Sequence, residues 1–171
     1  MEISKQRLDE LFCYDPGTGA ITNRIRRSSS AGEGAVAGCV NSVNGYRDVM
    51  IRGRNYKAHR LCLVMSGFDI PEGKQVDHIN GIRADNRLDN LRVVSCQDNR
   101  KNQATPKDNT SGTMGVYWNK RANKWMAAIS VSGKQKHLGY YSDKHDAIYS
   151  RYYAGKDYGF HENHGRQAEA S

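Results

Sequence analysis

The chain has 171 residues, a formal net charge of +8 and an isoelectric point near 9.4. This length allows one domain or two small ones. The basic balance indicates a polyanionic partner, since clustered Lys and Arg displace counterions from phosphates. The four cysteines lack the paired spacing of a structural zinc site, and no apolar run is long enough to span a membrane. We therefore expect a cytoplasmic protein with reduced thiols and no membrane partner.

Two helices and a hairpin are predicted in the first part of the chain. Residues 3–12 have the spacing of a short amphipathic helix with Ser4 as its cap. A hairpin is predicted around Gly53, because that glycine separates two β-rich arms. The apolar spacing then becomes helical, which predicts a second helix over 58–65.

The next stretch predicts the order strand, loop, strand, helix. Residues 76–79 and 91–94 are strand candidates, and the polar loop between them cannot continue either strand. Ser95 can then cap a helix that begins near Cys96.

A change of composition at 103–113 predicts a linker, because Pro, Ser, Thr, Asn and Gly replace the apolar periodicity. A second unit follows, and its pattern predicts a three-stranded antiparallel sheet packed on one helix. Its predicted elements are strands at 115–118, 124–131 and 135–140 and a helix over 143–155 capped by Ser142. Only the linker and the tail after Phe160 are expected to be poorly structured.

Four side chains in the strand, loop, strand, helix segment suit phosphodiester cleavage. The imidazole of His78 can deprotonate water, because its ordinary pKa lies near neutrality. Asp77 offers a charged oxygen and Asn99 a neutral one to a hard divalent cation. Asn90 is suited to holding the loop, since a carboxamide both donates and accepts. Adjacent strand residues point to opposite faces, so Asp77 and His78 should straddle the strand unless it bends.

The segment "DHING", with Asn90 and Asn99 downstream, resembles the HNH nuclease motif. The words "AHRL", "DNRLDNLR" and "NRKN" are also similar to those of phage-encoded HNH homing endonucleases, and the resemblance covers about residues 11–102. It implies a ββα-metal fold, His78 as general base and Asp77 and Asn99 as ligands of Mg²⁺ or another divalent cation such as Mn²⁺. It also implies that Asn90 holds the loop.

Simpler roles compete with this interpretation. For any one of the four residues, a capping or structural role would be the simpler explanation, whereas all four at this spacing favour the nuclease. The guanidinium groups of Arg60, Arg87 and Arg92 could each hold the scissile phosphate, although a structural or solvated role is the simpler interpretation for any single one.

The second unit has the charge of a DNA-binding surface, since residues 112–138 contain five basic residues and no acidic one. Its sequence resembles the APETALA-type, ethylene-response-factor DNA-binding domain, which reads the major groove with its sheet. The resemblance implies groove-facing side chains at Tyr117, Ala128, Ser130, Gln135 and His137, with Lys120, Arg121 and Lys124 near the DNA backbone. The plant target sequence cannot be carried over, because several of these positions differ from the plant pattern.

The sequence thus predicts an α+β, metal-dependent DNA endonuclease that acts on double-stranded DNA. The predicted division is an HNH domain at 1–102 with its core motif at 76–102, the linker at 103–113, an APETALA-type domain at 114–162 and a tail at 163–171. A monomer or homodimer is expected, with no other protein partner implied. Two alternatives stay open: a non-catalytic DNA-binding protein on an HNH scaffold, and a protein that binds or cleaves RNA.

Overall fold

The structure, a computed structural model, describes residues 3–106 and 108–166. The chain divides into two compact units, residues 1–96 and 97–171. The first unit contains α1 (Lys5–Leu11), β1 (Phe12–Asp15), β2 (Ala20–Asn23), β3 (Cys39–Val40), β4 (Arg47–Ile51), β5 (Arg54–Lys57), α2 (Ala58–Met65), β6 (Gln75–His78) and β7 (Leu91–Val94). The division falls within α3 (Cys96–Arg100), after which the second unit contains β8 (Val116–Asn119), β9 (Lys124–Val131), β10 (Lys134–Tyr141) and α4 (Lys144–Asp157).

The first unit has three small antiparallel sheets, β1–β2, β3–β4–β5 and β6–β7. Two-stranded sheets are marginally stable alone, so these strands depend on one shared apolar core with the helices. Leu8, Phe12, Ile21, Val49 and Cys62 are completely buried in that core. The burial of Leu8 and Cys62 also shows which faces of α1 and α2 point inward.

The predicted hairpin and the helix after it are confirmed. Arg52 and Gly53 connect β4 to β5 with φ values of 48° and 75°. This pair of left-handed residues matches the right-handed twist of a tight hairpin. α2 begins directly after β5, with the bounds that the apolar spacing predicts. The hairpin therefore fixes where the first turn of α2, including His59, meets the core.

The second unit has an antiparallel sheet in the order β10–β9–β8, with α4 packed against it. Val116, Ala127 and Ala147 form the buried centre of this contact. Asp143, rather than the predicted Ser142, caps α4, because its carboxylate accepts a hydrogen bond of 2.6 Å from the backbone N–H of His145. Among the described residues, no helix is long and apolar enough to cross a bilayer.

The segment predicted to be a poorly structured linker differs from that expectation. Thr105 donates its backbone N–H to the carbonyl of Arg166 at 2.8 Å, and Gly165 donates to the carbonyl of Gln103 at 2.8 Å. Thr105 and Ser111 are buried. Polar residues without apolar periodicity are thus ordered here by backbone pairing between 103–105 and 165–166, which composition does not reveal.

Gly38 is expected to be required for the β3–β4 contact. Its φ is 75°, and a Cβ there would lie 2.1 Å from the carbonyl oxygen of Asp48. Gly34 has the same φ but open space around its Cβ position. We expect Gly34→Ala to cost about 1 kcal/mol of unfolding free energy for the left-handed backbone, and Gly38→Ala to cost roughly 2 kcal/mol more because the backbone must move. Urea unfolding followed by circular dichroism measures both, and equal costs would contradict the close approach.

Candidate functional site

Asp77 and His78 are the last two residues of β6, and both are buried. In the register of the β6–β7 pair, Asp77 lies opposite Arg92 and His78 opposite Leu91. The two side chains have different surroundings: Asp77 accepts hydrogen bonds from Arg92, whereas the ring of His78 contacts the rings of Tyr46 and His59. The strand thus presents its acid and its imidazole to two different environments.

Asn90 fixes the loop between β6 and β7 at two points. Its Oδ1 accepts a hydrogen bond from the backbone N–H of Asn80 at 2.9 Å, and its Nδ2 donates to the carbonyl of Asp85 at 2.8 Å. Its own carbonyl accepts from the backbone N–H of Ile79 at 2.9 Å. Asn90 is 5 % exposed, so these bonds satisfy polar groups that burial would otherwise leave costly. The loop directly after His78 therefore has a defined shape.

Arg87, one of the predicted phosphate contacts, pairs with Asp85 in the same loop. Its Nε and Nη2 donate to the two carboxylate oxygens at 2.9 and 2.8 Å. Hydrogen bonds from Arg87 hold the pKa of Asp85 at about 2. The Arg87 side chain is 46 % exposed, so this pair shapes the loop while its contribution to stability is small.

Two residues that the sequence analysis did not assign to the site contact His78. The Nε2 of His78 lies 3.2 Å from the Oδ1 of Asn86, which is 2 % exposed. The ring of His59 meets that of His78 edge to face, with centroids 5.1 Å apart. Since an amide oxygen can only accept, the Asn86 contact places the hydrogen of His78 on Nε2 and leaves Nδ1 as the basic nitrogen.

Tyr46 completes this aromatic cluster. Its ring centroid lies 5.2 Å from that of His59 and 5.9 Å from that of His78. The guanidinium of Arg83 lies 5.1 Å from the Tyr46 centroid and also donates to the carbonyl of Asn44 at 3.0 Å. The segment "AHRL" was the one sequence feature that could have pointed to His59 as a site residue. No sequence feature pointed to Tyr46 or Asn86, because their contacts with His78 depend on the folded structure.

Burial keeps both imidazoles neutral. Desolvation lowers the pKa of His59 to about 3, with smaller contributions from neighbouring His78 and from the positive charge of Arg60. Desolvation also lowers the pKa of His78, while the Asn86 hydrogen bond and the charge of Asp77 oppose that shift. A neutral His78 is the form that can accept a proton.

The two residues predicted as metal ligands carry donor atoms that fit a hard cation better than a soft one. The described residues contain no group of three His, Cys, Asp or Glu side chains that could hold a metal ion. Asp77 and Asn99 offer oxygen atoms, and Mg²⁺ takes few protein oxygens while keeping water and phosphate as its other ligands. Asn99 lies in α3, which follows β7 directly in the chain. The other candidate phosphate contact, Arg60, lies half-buried on α2.

The predicted DNA-facing residues of the second unit share one face of its sheet. Ser130 lies opposite Gln135 in the β9–β10 register. Gln135 donates to the hydroxyl of Tyr117 at 3.3 Å, and the ring of His137 lies 4.6 Å from that of Tyr140. Ser130, Gln135 and His137 are exposed, whereas Tyr117 is half-buried.

Ala128 corrects one expectation, because it is 3 % exposed and its side chain has no open surface to offer to a groove. It is paired with His137 in the β9–β10 register and its backbone N–H donates to the carbonyl of Gly115 at 2.8 Å, so it lies on the central strand between β8 and β10. Lys120, Arg121 and Lys124 lie in or beside the β8–β9 turn and are exposed. Asn119 shapes that turn by accepting from the backbone N–H of Ala122 at 2.9 Å.

Comparison with known proteins identifies the part of the chain that carries the site. The sequence profile of an HNH endonuclease family matches residues 56–101. The matched segment contains His59, Asp77, His78, Asn90 and Asn99.

Relatives encoded by phages are similar to part of the chain. Protein 3.8 of Escherichia phage T7 is 42 % identical over 66 residues, which are 39 % of this chain and 54 % of that protein. YosQ, an SPbeta prophage-derived protein of Bacillus subtilis (strain 168) that is named as an HNH homing endonuclease, is 35 % identical over 72 residues, 42 % of this chain and 36 % of that protein. The chain thus spans about half of the first relative and about a third of the second.

One solved structure is also similar, and its subject is DNA binding and cleavage by the HNH homing endonuclease I-HmuI. It is 23 % identical with a TM-score of 0.44, over 80 % of this chain and 77 % of that one.

The buried imidazole of His59 should make the stability of the protein depend on pH. Its pKa is about 3 when folded and 6.5 ordinarily, so between these values the unfolded state binds the additional proton. Stability from this residue is complete above pH 6.5 and falls with decreasing pH, by up to about 1.4 kcal/mol per pH unit. We expect His59→Phe, which keeps a ring but cannot titrate, to reduce the slope of unfolding free energy against pH in that window.

Urea unfolding at a series of pH values measures this slope. His145→Phe is the matched control, because His145 is exposed on α4, and its slope should equal that of the wild type. A His59→Phe protein with the wild-type slope would contradict the assignment.

Proposed function

We propose that the chain is a metal-dependent HNH endonuclease that hydrolyses phosphodiester bonds of double-stranded DNA. The observation that carries the proposal is the oriented, neutral imidazole of His78 beside Asp77 at the end of β6, within the segment that matches the HNH profile. The phage relatives support a place of action on DNA in the cytoplasm of a bacterial host.

The proposed chemistry begins at Nδ1 of His78. Nε2 is occupied by the contact with Asn86, so Nδ1 takes the proton from a water molecule that then attacks the phosphorus. The rings of Tyr46 and His59 limit the orientations that the His78 ring can adopt. A positioned base in this orientation needs no reorganisation when the phosphodiester arrives.

Asp77 and Asn99 would hold a divalent cation, Mg²⁺ or Mn²⁺. When bound, this cation neutralises charge on the phosphate and stabilises the leaving 3′ oxygen. The loop residues have a different role from the metal ligands. Asn90 and Asp85 keep the backbone after His78 in one conformation. Products would carry 5′ phosphate and 3′ hydroxyl ends.

The second unit would choose the cleavage site as an APETALA-type DNA-binding domain. Support comes from the exposed face that carries Ser130, Gln135 and His137 and from the exposed basic turn at 120–124. A β-sheet can lie in the major groove. Phosphate contacts from the turn would position the protein, and side chains on the sheet would read base edges.

His78→Ala should separate catalysis from binding. We expect cleavage of plasmid DNA with Mg²⁺ to fall by about 10² to 10⁴ fold, because a positioned general base supplies that much rate, while the gel shift with the same DNA is unchanged. His145→Ala, at an exposed position on α4, should cut like the wild type. Cleavage of RNA under the same conditions tests the rival substrate. Wild-type turnover by His78→Ala would remove His78 as the base.

The basic turn and the sheet face should affect DNA binding differently. Each single replacement of Lys120, Arg121 or Lys124 by Ala should reduce the slope of log K for DNA binding against log salt concentration. The reduction should be up to about 0.9, since each neutralised phosphate contributes that much. Gln135→Ala or Ser130→Ala should instead alter preference between sequences and leave the slope nearly intact. Fluorescence anisotropy at several salt concentrations measures both effects.

Lys156→Ala is the control for these measurements, because Lys156 is exposed on α4 and its ammonium lies 4.6 Å from the Tyr152 centroid. Lys156→Ala should leave both the salt slope and the preference between sequences unchanged. Turn variants that keep the wild-type slope would exclude the turn as a phosphate-binding element.

A further inference from the structure

The carboxylate of Asp77 already has a cation beside it. Arg92 lies directly opposite Asp77 in the β6–β7 register, and its Nε and Nη2 donate to Oδ2 at 2.9 and 2.7 Å. The Asp77 side chain is 8 % exposed and that of Arg92 is 32 % exposed. Burial of a charged carboxylate costs free energy unless a cation pairs with it, and Arg92 is that cation.

Both donors of Arg92 go to the same carboxylate oxygen. The pair between Arg87 and Asp85 differs, because there the guanidinium uses both oxygens in the usual two-point geometry. The bond to Asp77 therefore lacks the second oxygen contact that makes an arginine–carboxylate pair most specific. The Arg92 side chain is more exposed than that of Asp77, so its guanidinium can move toward solvent without disturbing the core.

We propose that Arg92 is a displaceable counter-ion of Asp77, which holds the carboxylate until a divalent cation binds and then moves to the scissile phosphate. The proposal rests on the proposed function, since it takes Asp77 as a metal ligand. In a buried site of low dielectric, a guanidinium and a divalent cation on one carboxylate repel each other strongly. The released guanidinium has the planar fork that suits phosphate oxygens.

Two effects of opposite sign follow from this arrangement. Without Arg92, the cation no longer competes for Asp77, so metal affinity should increase. Without Arg92, the phosphate also loses a contact, so turnover should decrease. A residue with only a structural role would lower both quantities when replaced, because a loosened site binds the metal less well and cuts more slowly.

The first measurement is Mn²⁺ affinity of the full-length protein without DNA, from the electron paramagnetic resonance signal of free Mn²⁺. Arg92→Gln should bind Mn²⁺ about tenfold more tightly than the wild type, because the cation no longer displaces a charge-assisted pair. Arg92→Lys, which keeps the charge and loses the fork, should lie between the two. Asp77→Asn should lose this binding.

Lys57→Gln is the matched control. Lys57 and Asp48 also form a cross-strand ion pair, with Nζ 2.6 Å from Oδ1 and side-chain exposures of 37 % and 15 %. Its Mn²⁺ affinity should equal that of the wild type. If Arg92→Gln binds Mn²⁺ equally or more weakly, the displacement is overturned while Asp77 can still be a ligand. If neither the wild type nor Arg92→Gln binds Mn²⁺, the metal site of the proposed function is overturned as well.

A second measurement uses the wild type, so that a variant that does not fold leaves the proposal testable. The Nε–H resonance of Arg92, assigned by through-bond correlation to the Arg92 backbone, should move on titration with diamagnetic Mg²⁺ as the guanidinium leaves Asp77. An unchanged resonance at saturating Mg²⁺ would mean that Arg92 stays on Oδ2.

Single-turnover cleavage by Arg92→Gln should be slower than that of the wild type, although this variant binds the metal more tightly. Faster cleavage would exclude the phosphate contact.

Discussion

The buried end of β6 is the constraint on which the site depends, because two ionisable side chains enter the interior there side by side. Burial makes the charged form of each group costly unless a partner is built for it. The chain meets this constraint differently at the two residues: Asp77 has a counter-ion in Arg92, and His78 stays neutral with an acceptor in Asn86. The acid and the base of this strand thus have separate partners.

The loop after β6 links this constraint to the rest of the fold. Asn90 ties the loop to β7, and Asp85 ties it internally by accepting from Asn80 and Arg87. Asn86, which orients His78, lies between these two fixed points. Its position therefore depends on polar residues that a loop of this composition supplies through short-range turn contacts. The tertiary contacts with Tyr46 and His59 then restrict the ring further.

The sequence predicts the local elements well and the tertiary contacts poorly. The helix over 58–65 and the strand over 91–94 have the predicted bounds, because apolar spacing and turn residues are local signals. The partners of His78 and Asp77 could not be predicted in this way, since Asn86, His59 and Arg92 come together only when the register of β6–β7 and the packing of α2 are fixed. The pairing of 103–105 with 165–166 is a further example, because polar segments without periodicity give no local sign of their partner.

The distribution of charge shows why composition alone is a weak guide to DNA contacts. The chain has 26 Lys and Arg against 18 Asp and Glu, but many of these cations have partners within the protein. Arg87 and Arg92 are in ion pairs, and Lys136 donates to the hydroxyl of Tyr158 at 3.0 Å. Arg151 is 7 % exposed beside the ring of Phe160. The basic turn at 120–124 differs from these, because its cations are exposed and none of them is in an ion pair with another described residue. The turn therefore carries charge that a phosphate backbone can use, on a conformation that Asn119 shapes.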